Sequence, residues 1–132
     1  LYYFFFANKI MVHVYPSAVQ FLLLGKKIFC RNVNDRDGEE IIKTKDLQSF
    51  RSHFGISPRD CRNVWNLLGH FNLIPDGSNA NHLLWTLLFA KLYSTEEVLA
   101  AMVGCRTVKT YMKWTWKILR RISALKGVVV SK

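Results

Sequence analysis

Residues 109–121 have the sequence KTYMKWTWKILRR, which carries five cations, two tryptophans and no acid. At a helical period of 3.6 residues, the side chains here and in the flanking positions divide into two stripes. The apolar stripe consists of Val108, Tyr111, Met112, Ile118, Leu119, Ile122 and Leu125. The basic stripe consists of Lys109, Lys113, Trp116 and Arg120, and it is broadened by Lys117 and Arg121. This pattern predicts a helix with one face in a core and the other turned toward a polyanion. We expect Trp114 at the edge of that core, whereas the pattern leaves Trp116 open between core edge and contact surface.

The residues before this helix predict a helix-turn-helix. Ser94 and Glu97 match a capping box, which predicts a short helix over residues 96–104. Ala100 and Gly104 are small and lie four apart, as is typical of two helices that cross closely. A turn of three residues, 104–106, then leads into the long helix, and this spacing favours a DNA-binding helix-turn-helix.

The limits of the long helix are also marked. Thr107 is a candidate N-cap, and Gly127 is a candidate stop after a helix that we expect to end near Leu125. Residues 127–132, GVVVSK, then resemble the beginning of a strand, which we interpret as the approach to a further C-terminal domain.

Three further helices are predicted upstream. Asp46 is a candidate N-cap for residues 46–54, and Gly55 follows as a stop signal. Ser57 and Pro58 open a second helix, as N-cap and first helical residue. Residues 80–94 are apolar on nearly every side, which predicts the central helix of the core. The sequence therefore predicts an all-α fold, a small helical bundle over residues 46–126 that ends in the helix-turn-helix.

Residues 1–45 fit this bundle least. The aromatic-rich run 1–30 is broken by polar residues and by Pro16, and it contains no uninterrupted stretch near the ~20 apolar residues of a membrane span. We expect a poorly defined N-terminal segment here, with a membrane anchor or targeting segment as the alternative. Residues 31–45 are polar and turn-rich, and they predict a linker. Because the chain begins with Leu1 rather than methionine, we expect a fragment of a longer protein, in which Met11 is a possible later start.

The charge of the chain is concentrated at its C-terminal end. Lysine and arginine number 19 against 9 acids, which gives a formal net charge of +10. Residues 101–132 contain eight of these cations and no acid. Such a segment favours a polyanionic partner, either nucleic acid or an anionic membrane surface.

Residues suited to catalysis or metal binding do not form a recognisable motif. The three cysteines, Cys30, Cys61 and Cys105, are widely spaced, and no CxxC pair accompanies the histidines. The sequence contains no Gly-rich phosphate loop and no nucleophile–base pair at a known spacing. We therefore expect no metal, no cofactor, no small-molecule ligand and no catalytic activity in this chain.

Residues 82–125, HLLWTLLFAKLYSTEEVLAAMVGCRTVKTYMKWTWKILRRISAL, resemble the N-terminal helical region of Harbinger-type (PIF/Harbinger) DDE transposases. The likeness is strongest in the HLLW start, in residues 91–97 and in the block 109–116. Residues 50–68, FRSHFGISPRDCRNVWNLL, are similar to the lead-in helix pair of that family. The resemblance covers residues 46–126.

This resemblance implies binding to double-stranded DNA at transposon ends, in the nucleus, possibly beside other transposase subunits. The family's DDE endonuclease domain, which acts through three carboxylates and divalent metal, has no counterpart in these residues, so no catalytic residue is assigned. The predicted DNA-binding residues are Arg106, Thr107, Lys109, Thr110, Lys113, Trp116, Lys117, Arg120 and Arg121. The alternatives are a membrane-surface module and a protein-interaction module, each built on the same basic amphipathic helix.

Overall fold

A computed structural model describes residues 3–4, 11–12, 16–30, 44–92 and 94–130. The helices are α1 Ala18–Phe29, α2 Thr44–Phe54, α3 Pro58–His70, α4 Ala80–Lys91, α5 Glu96–Met102 and α6 Val108–Val130. A short antiparallel pair, β1 Tyr3–Phe4 and β2 Met11–Val12, precedes them, with Tyr3 opposite Val12. The six helices form a compact bundle, which confirms the predicted all-α class.

Helix α4 lies at the centre of the bundle, as its sequence predicts. Leu83, Leu84 and Leu88 are fully buried, and α4 packs most extensively on α6. Asn79 is the N-cap, because its side-chain oxygen accepts a hydrogen bond from the backbone N–H of Asn81 at 2.9 Å. The helix ends at Lys91, three residues before the predicted limit.

Helix α1 belongs to the same core, so the expectation of a poorly defined segment before residue 46 is wrong for residues 16–30. Phe21, Leu22 and Ile28 are buried, and α1 packs against α2, α3 and α4. The sequence carried a signal for this helix: Ser17 and Gln20 form a capping box, with hydrogen bonds of 3.2 and 2.8 Å between each side chain and the other residue's N–H. The predicted linker lies almost entirely outside the described residues.

Helices α1 and α2 approach each other closely at Gly25. A Cβ atom added to Gly25 would overlap the ring of Phe50 and would lie 2.9 Å from the ring of Phe54. Lys26, which follows Gly25 in α1, places its ammonium 3.2 Å from the carboxylate of Asp46. Asp46 lies one helical turn before Phe50 in α2. Asp46 is buried inside the first turn of α2, which begins at Thr44, so the prediction of Asp46 as the N-cap is wrong.

The start of α3 follows the prediction. The Ser57 hydroxyl accepts a hydrogen bond from the N–H of Asp60 at 3.1 Å, and Pro58 is the first helical residue. Asn72, in the left-handed region at φ 58°, ends the helix, and Gly77 has φ 82° in the loop that follows. This loop delivers the chain to the start of α4.

Helix α6 is longer than predicted. It continues through Gly127 to Val130, so Gly127 does not stop it and residues 127–130 do not begin a strand. A glycine in helical conformation is tolerated at a cost of about 1 kcal/mol, and nothing in the sequence after Leu125 breaks the helix more strongly. The last two residues lie outside the described part of the chain. No helix in the described ranges is long and apolar enough to cross a membrane.

Candidate nucleic-acid interface

The two helices of the predicted helix-turn-helix are present, and α5 packs on α6. Leu99 and Ala100 of α5 are buried. The N-cap of α5 is Thr95, whose hydroxyl accepts a hydrogen bond from the N–H of Val98 at 3.3 Å. The prediction of a capping box at Ser94 is therefore wrong: the cap lies one residue later, and the third helical residue is Val98, whose side chain has no acceptor. Serine is the somewhat better N-cap residue, so the sequence favoured Ser94 over its neighbour.

The turn between the helices is a Schellman motif. Gly104 has φ 78°, and its N–H donates to the carbonyl of Ala101 at 3.1 Å. The N–H of Cys105 donates to the carbonyl of Ala100 at 2.9 Å, which completes the motif. By the observed helix ends, the turn spans residues 103–107 rather than the predicted three. These two hydrogen bonds nonetheless fix the conformation of the turn at the end of α5, shortly before α6 begins.

Thr107 caps α6 as predicted. Its hydroxyl accepts from the N–H of Thr110 at 3.1 Å and donates to the hydroxyl of Thr110 at 2.8 Å. The proton of the Thr107 hydroxyl is therefore used within the protein. The Thr110 hydroxyl keeps its own proton, and both side chains are exposed at the start of α6.

The inward face of α6 anchors the helix in the core. Tyr111 and Ile118 are fully buried, and Leu125 is nearly so. The Tyr111 hydroxyl donates to the carbonyl of Trp85 at 3.0 Å, and burial raises the pKa of Tyr111 to about 12. Thr115 is also fully buried in this face, although the predicted apolar stripe omitted it as polar. The rest of the predicted stripe is half-buried: Val108, Met112, Leu119 and Ile122.

The outward face of α6 is basic and exposed. Lys109, Lys113, Trp116 and Arg120 follow one another at spacings of four, three and four residues, directly opposite the buried face. The other predicted contact residues are exposed at its borders or in the turn: Arg106, Thr107, Thr110, Lys117 and Arg121. Within the described ranges, none of these cations has a carboxylate within 4 Å. The structure thus brings all nine predicted side chains onto one surface, which we call the α6 basic face.

The two tryptophans lie on different sides of this surface. Trp116 is 46% exposed in the middle of the cations, and its ring makes an edge contact with Phe89 at a centroid distance of 6.1 Å. Trp116 therefore lies on the outward side of α6, and its ring also covers part of Phe89. Trp114 is half-buried at the border between α6 and α4, where the sequence placed it.

Trp114 stacks on His82 of α4, with ring centroids 4.4 Å apart and ring planes within 6°. His82 is buried, and its Nδ1 accepts a hydrogen bond from the N–H of Asn79 at 3.0 Å. Burial lowers the pKa of His82 to about 4, so the ring is neutral at physiological pH. No local sequence pattern predicts this contact, because His82 and Trp114 come together only when α4 packs on α6.

Two acids lie in the first helix of the helix-turn-helix. Glu96 and Glu97 form the first turn of α5, and both are exposed. Carboxylates at a helix N-terminus stabilise the helix, but they repel phosphate. The start of α5 is therefore unfavourable for binding phosphate.

Other kinds of site find little support in the described part of the chain. No group of three His, Cys, Asp or Glu side chains there is placed to hold a metal ion, and the three cysteines are free thiols. Burial and the nearby charge of Asp60 raise the pKa of Cys61 to about 12, so this thiol is not a nucleophile at neutral pH.

Comparison with known proteins adds no identification. No protein-family model, no curated protein and no solved structure matches this chain. The function has therefore to be inferred from the site itself. Its cations have no carboxylate within 4 Å in the described ranges, and the opposite side of the helix is buried in the core.

Proposed function

We propose that this protein binds double-stranded DNA through the α6 basic face. The observation that carries the proposal is the exposure of seven lysines and arginines on α6 and the preceding turn, with no acid among residues 101–132 and Trp116 among the cations. An ordinary solvated helix mixes charges of both signs, whereas this one does not. With 23 residues, α6 is about 34 Å long, and a helix of this kind fits the major groove of B-DNA.

The side chains divide by position along the helix. Lys109, Thr110 and Lys113 lie in its first two turns, the part from which helix-turn-helix proteins read base edges. Lys117, Arg120 and the remaining cations lie where they would neutralise phosphates on the flanking strands. Each neutralised phosphate releases counterions, so binding should weaken steeply with salt.

The resemblance to Harbinger-type transposases gives this proposal its wider form. In that form, residues 46–126 are the part of a transposase that holds DNA at the transposon ends in the nucleus, with other transposase subunits as further partners. The proposal assigns no catalytic residue and no metal, because the resemblance covers only the helical region and not the nuclease domain.

A membrane-surface role is less well supported, for a structural reason. A basic amphipathic helix binds a bilayer by inserting its apolar face. In α6 that face holds Tyr111 and Ile118, which are fully buried in the bundle. Insertion would therefore require the core to open, whereas DNA needs only the face that is already exposed.

The test is the affinity for a labelled duplex, measured by fluorescence anisotropy between about 50 and 200 mM salt. We expect Lys113→Ala or Lys117→Ala to weaken binding to every duplex sequence and to lower the salt slope by about one. Arg51→Ala and Arg59→Ala are the matched controls, because these exposed cations lie on α2 and α3 and should leave the slope unchanged.

The proposal fails if duplex affinity does not change with salt over this range. It also fails if anionic phosphatidylserine vesicles compete fully with duplex DNA at equal phosphate concentration, since that result would favour the membrane-surface module. Replacing the lysines and arginines of the α6 basic face with glutamates should abolish duplex binding. A protein whose cellular function survives this charge reversal would favour the protein-interaction module instead.

A further inference from the structure

Two lysines of the α6 basic face have defined positions, because they lie over one tryptophan ring. The Lys113 ammonium lies 5.1 Å from the ring centroid of Trp114, and the Lys117 ammonium lies 4.9 Å from it. Lysine side chains on a helix surface normally sample many rotamers, and ordering one costs up to about 2 kcal/mol. An indole face attracts an ammonium and so reduces this freedom before any ligand arrives.

The ring that carries them is itself held from the core side. His82 stacks on Trp114, and the hydrogen bond from the N–H of Asn79 to Nδ1 fixes the orientation of His82 at the start of α4. Gly77 lies beside the indole of Trp114, because a Cβ atom added to this glycine would lie 3.4 Å from Cη2 of the ring. Trp114 is therefore a rigid element between the core and the two ammonium groups.

From this arrangement we infer that Trp114 is a positioning residue, which holds Lys113 and Lys117 as a pair directed at neighbouring phosphates of one DNA strand. The inference rests on the proposed function and deepens it. Both ammonium groups lie within about 10 Å of each other, since each is near 5 Å from the same centroid. A pair fixed in this way pays less entropy on binding than two free lysines.

The experiment is a double-mutant cycle on duplex affinity. Trp114→Leu removes the aromatic face, and it is made both in the native chain and in the Lys113→Ala/Lys117→Ala variant. We expect about a fivefold loss of affinity in the native chain, in keeping with one to two cation–π contacts, and less than a twofold loss where the lysines are absent. Trp114→Phe, which keeps an aromatic face, should restore most of the affinity.

A purely structural role for Trp114 predicts an equal loss in both backgrounds, and that result would overturn the inference. Circular dichroism melts identify any variant that has lost the fold, and Trp114→Met, which also lacks an aromatic face, then replaces Trp114→Leu in the cycle. Equal losses with the Met variant in both backgrounds would overturn the inference in the same way.

An NMR measurement without DNA separates this inference from the proposed function. Methylene protons beside the ammonium groups of Lys113 and Lys117 should show upfield ring-current shifts in the native chain, and these shifts should disappear in Trp114→Leu. Absent shifts overturn the positioning itself. Shifts that are present in a protein without affinity for duplex DNA would support the positioning and overturn its role in binding phosphates.

Discussion

Helices α1 and α6 each combine lysines with a glycine, but the surroundings of these residues differ. In α1, Lys26 binds the buried carboxylate of Asp46 at 3.2 Å, and Gly25 lies against the rings of α2. In α6, the lysines face outward without a carboxylate within 4 Å in the described ranges. Among the described residues, no atom from another part of the fold lies within 4 Å of a Cβ added to Gly127. The comparison teaches that the same residue types stabilise the fold in one helix and form the candidate binding surface in the other.

The largest expected effect separates the two glycines. Gly25→Ala should destabilise the fold by about 3 kcal/mol, because its Cβ overlaps the buried ring of Phe50. Gly127→Ala is the matched control, and it should be neutral or stabilising by up to about 1 kcal/mol, since alanine is the better helix former. Chemical denaturation measures both, and equal effects would show that α1 and α2 do not approach as described.

The lysines of α1 provide the next test. Lys26→Ala should cost about 1–2 kcal/mol in unfolding free energy, because it removes a partner of the buried Asp46 carboxylate. Lys27→Ala removes the neighbouring exposed lysine and should change stability by less than about 0.5 kcal/mol. Neither should alter the slope of DNA affinity against salt. A change in that slope for Lys26→Ala would mean that the charge of α1 is not purely structural.

The contact between α4 and α6 should depend on pH. The pKa of His82 is lowered to about 4 in the fold from 6.5, so the unfolded chain binds the proton more tightly. The stabilisation from neutral His82 is complete above about pH 6.5 and is lost as the pH falls toward 4. We expect the melting temperature to fall by several degrees over this window.

His82→Gln should flatten this dependence, because the titrating group is gone, whereas His70→Gln should leave it intact. His70 is exposed at the end of α3, where its ring makes an edge contact with Phe71. A pH dependence that survives His82→Gln would place its origin in another group.

The smallest expected effect concerns the acids of α5. Glu96→Gln together with Glu97→Gln should raise duplex affinity about two- to threefold at low salt, because the changes remove two exposed negative charges and so reduce repulsion of the phosphates in the proposed complex. Asp60→Asn on α3 is the control for a general change in net charge. Unchanged affinity in the double variant would indicate that α5 lies away from the DNA and that α6 acts alone.

The sequence by itself determined the helical content, most helix starts and the two faces of α6. These features depend on local chemistry: Ser57 and Thr107 cap helices through their own hydroxyls, and a 3.6-residue period separates buried Tyr111 from exposed Lys113. The exposure of the predicted contact residues that lie on α6 was expected in the same way, since exposure on a helix follows from its period.

Only the tertiary structure decided which parts of the chain belong together. It placed α1 in the core against Phe50, paired Lys26 with Asp46, and stacked His82 on Trp114. It also placed Trp116 on the outward side of α6. Each of these contacts joins residues from different helices or depends on where another helix packs, so no local pattern contains it. Local preference chooses the helices, and the need to bury their apolar faces against one another chooses the arrangement.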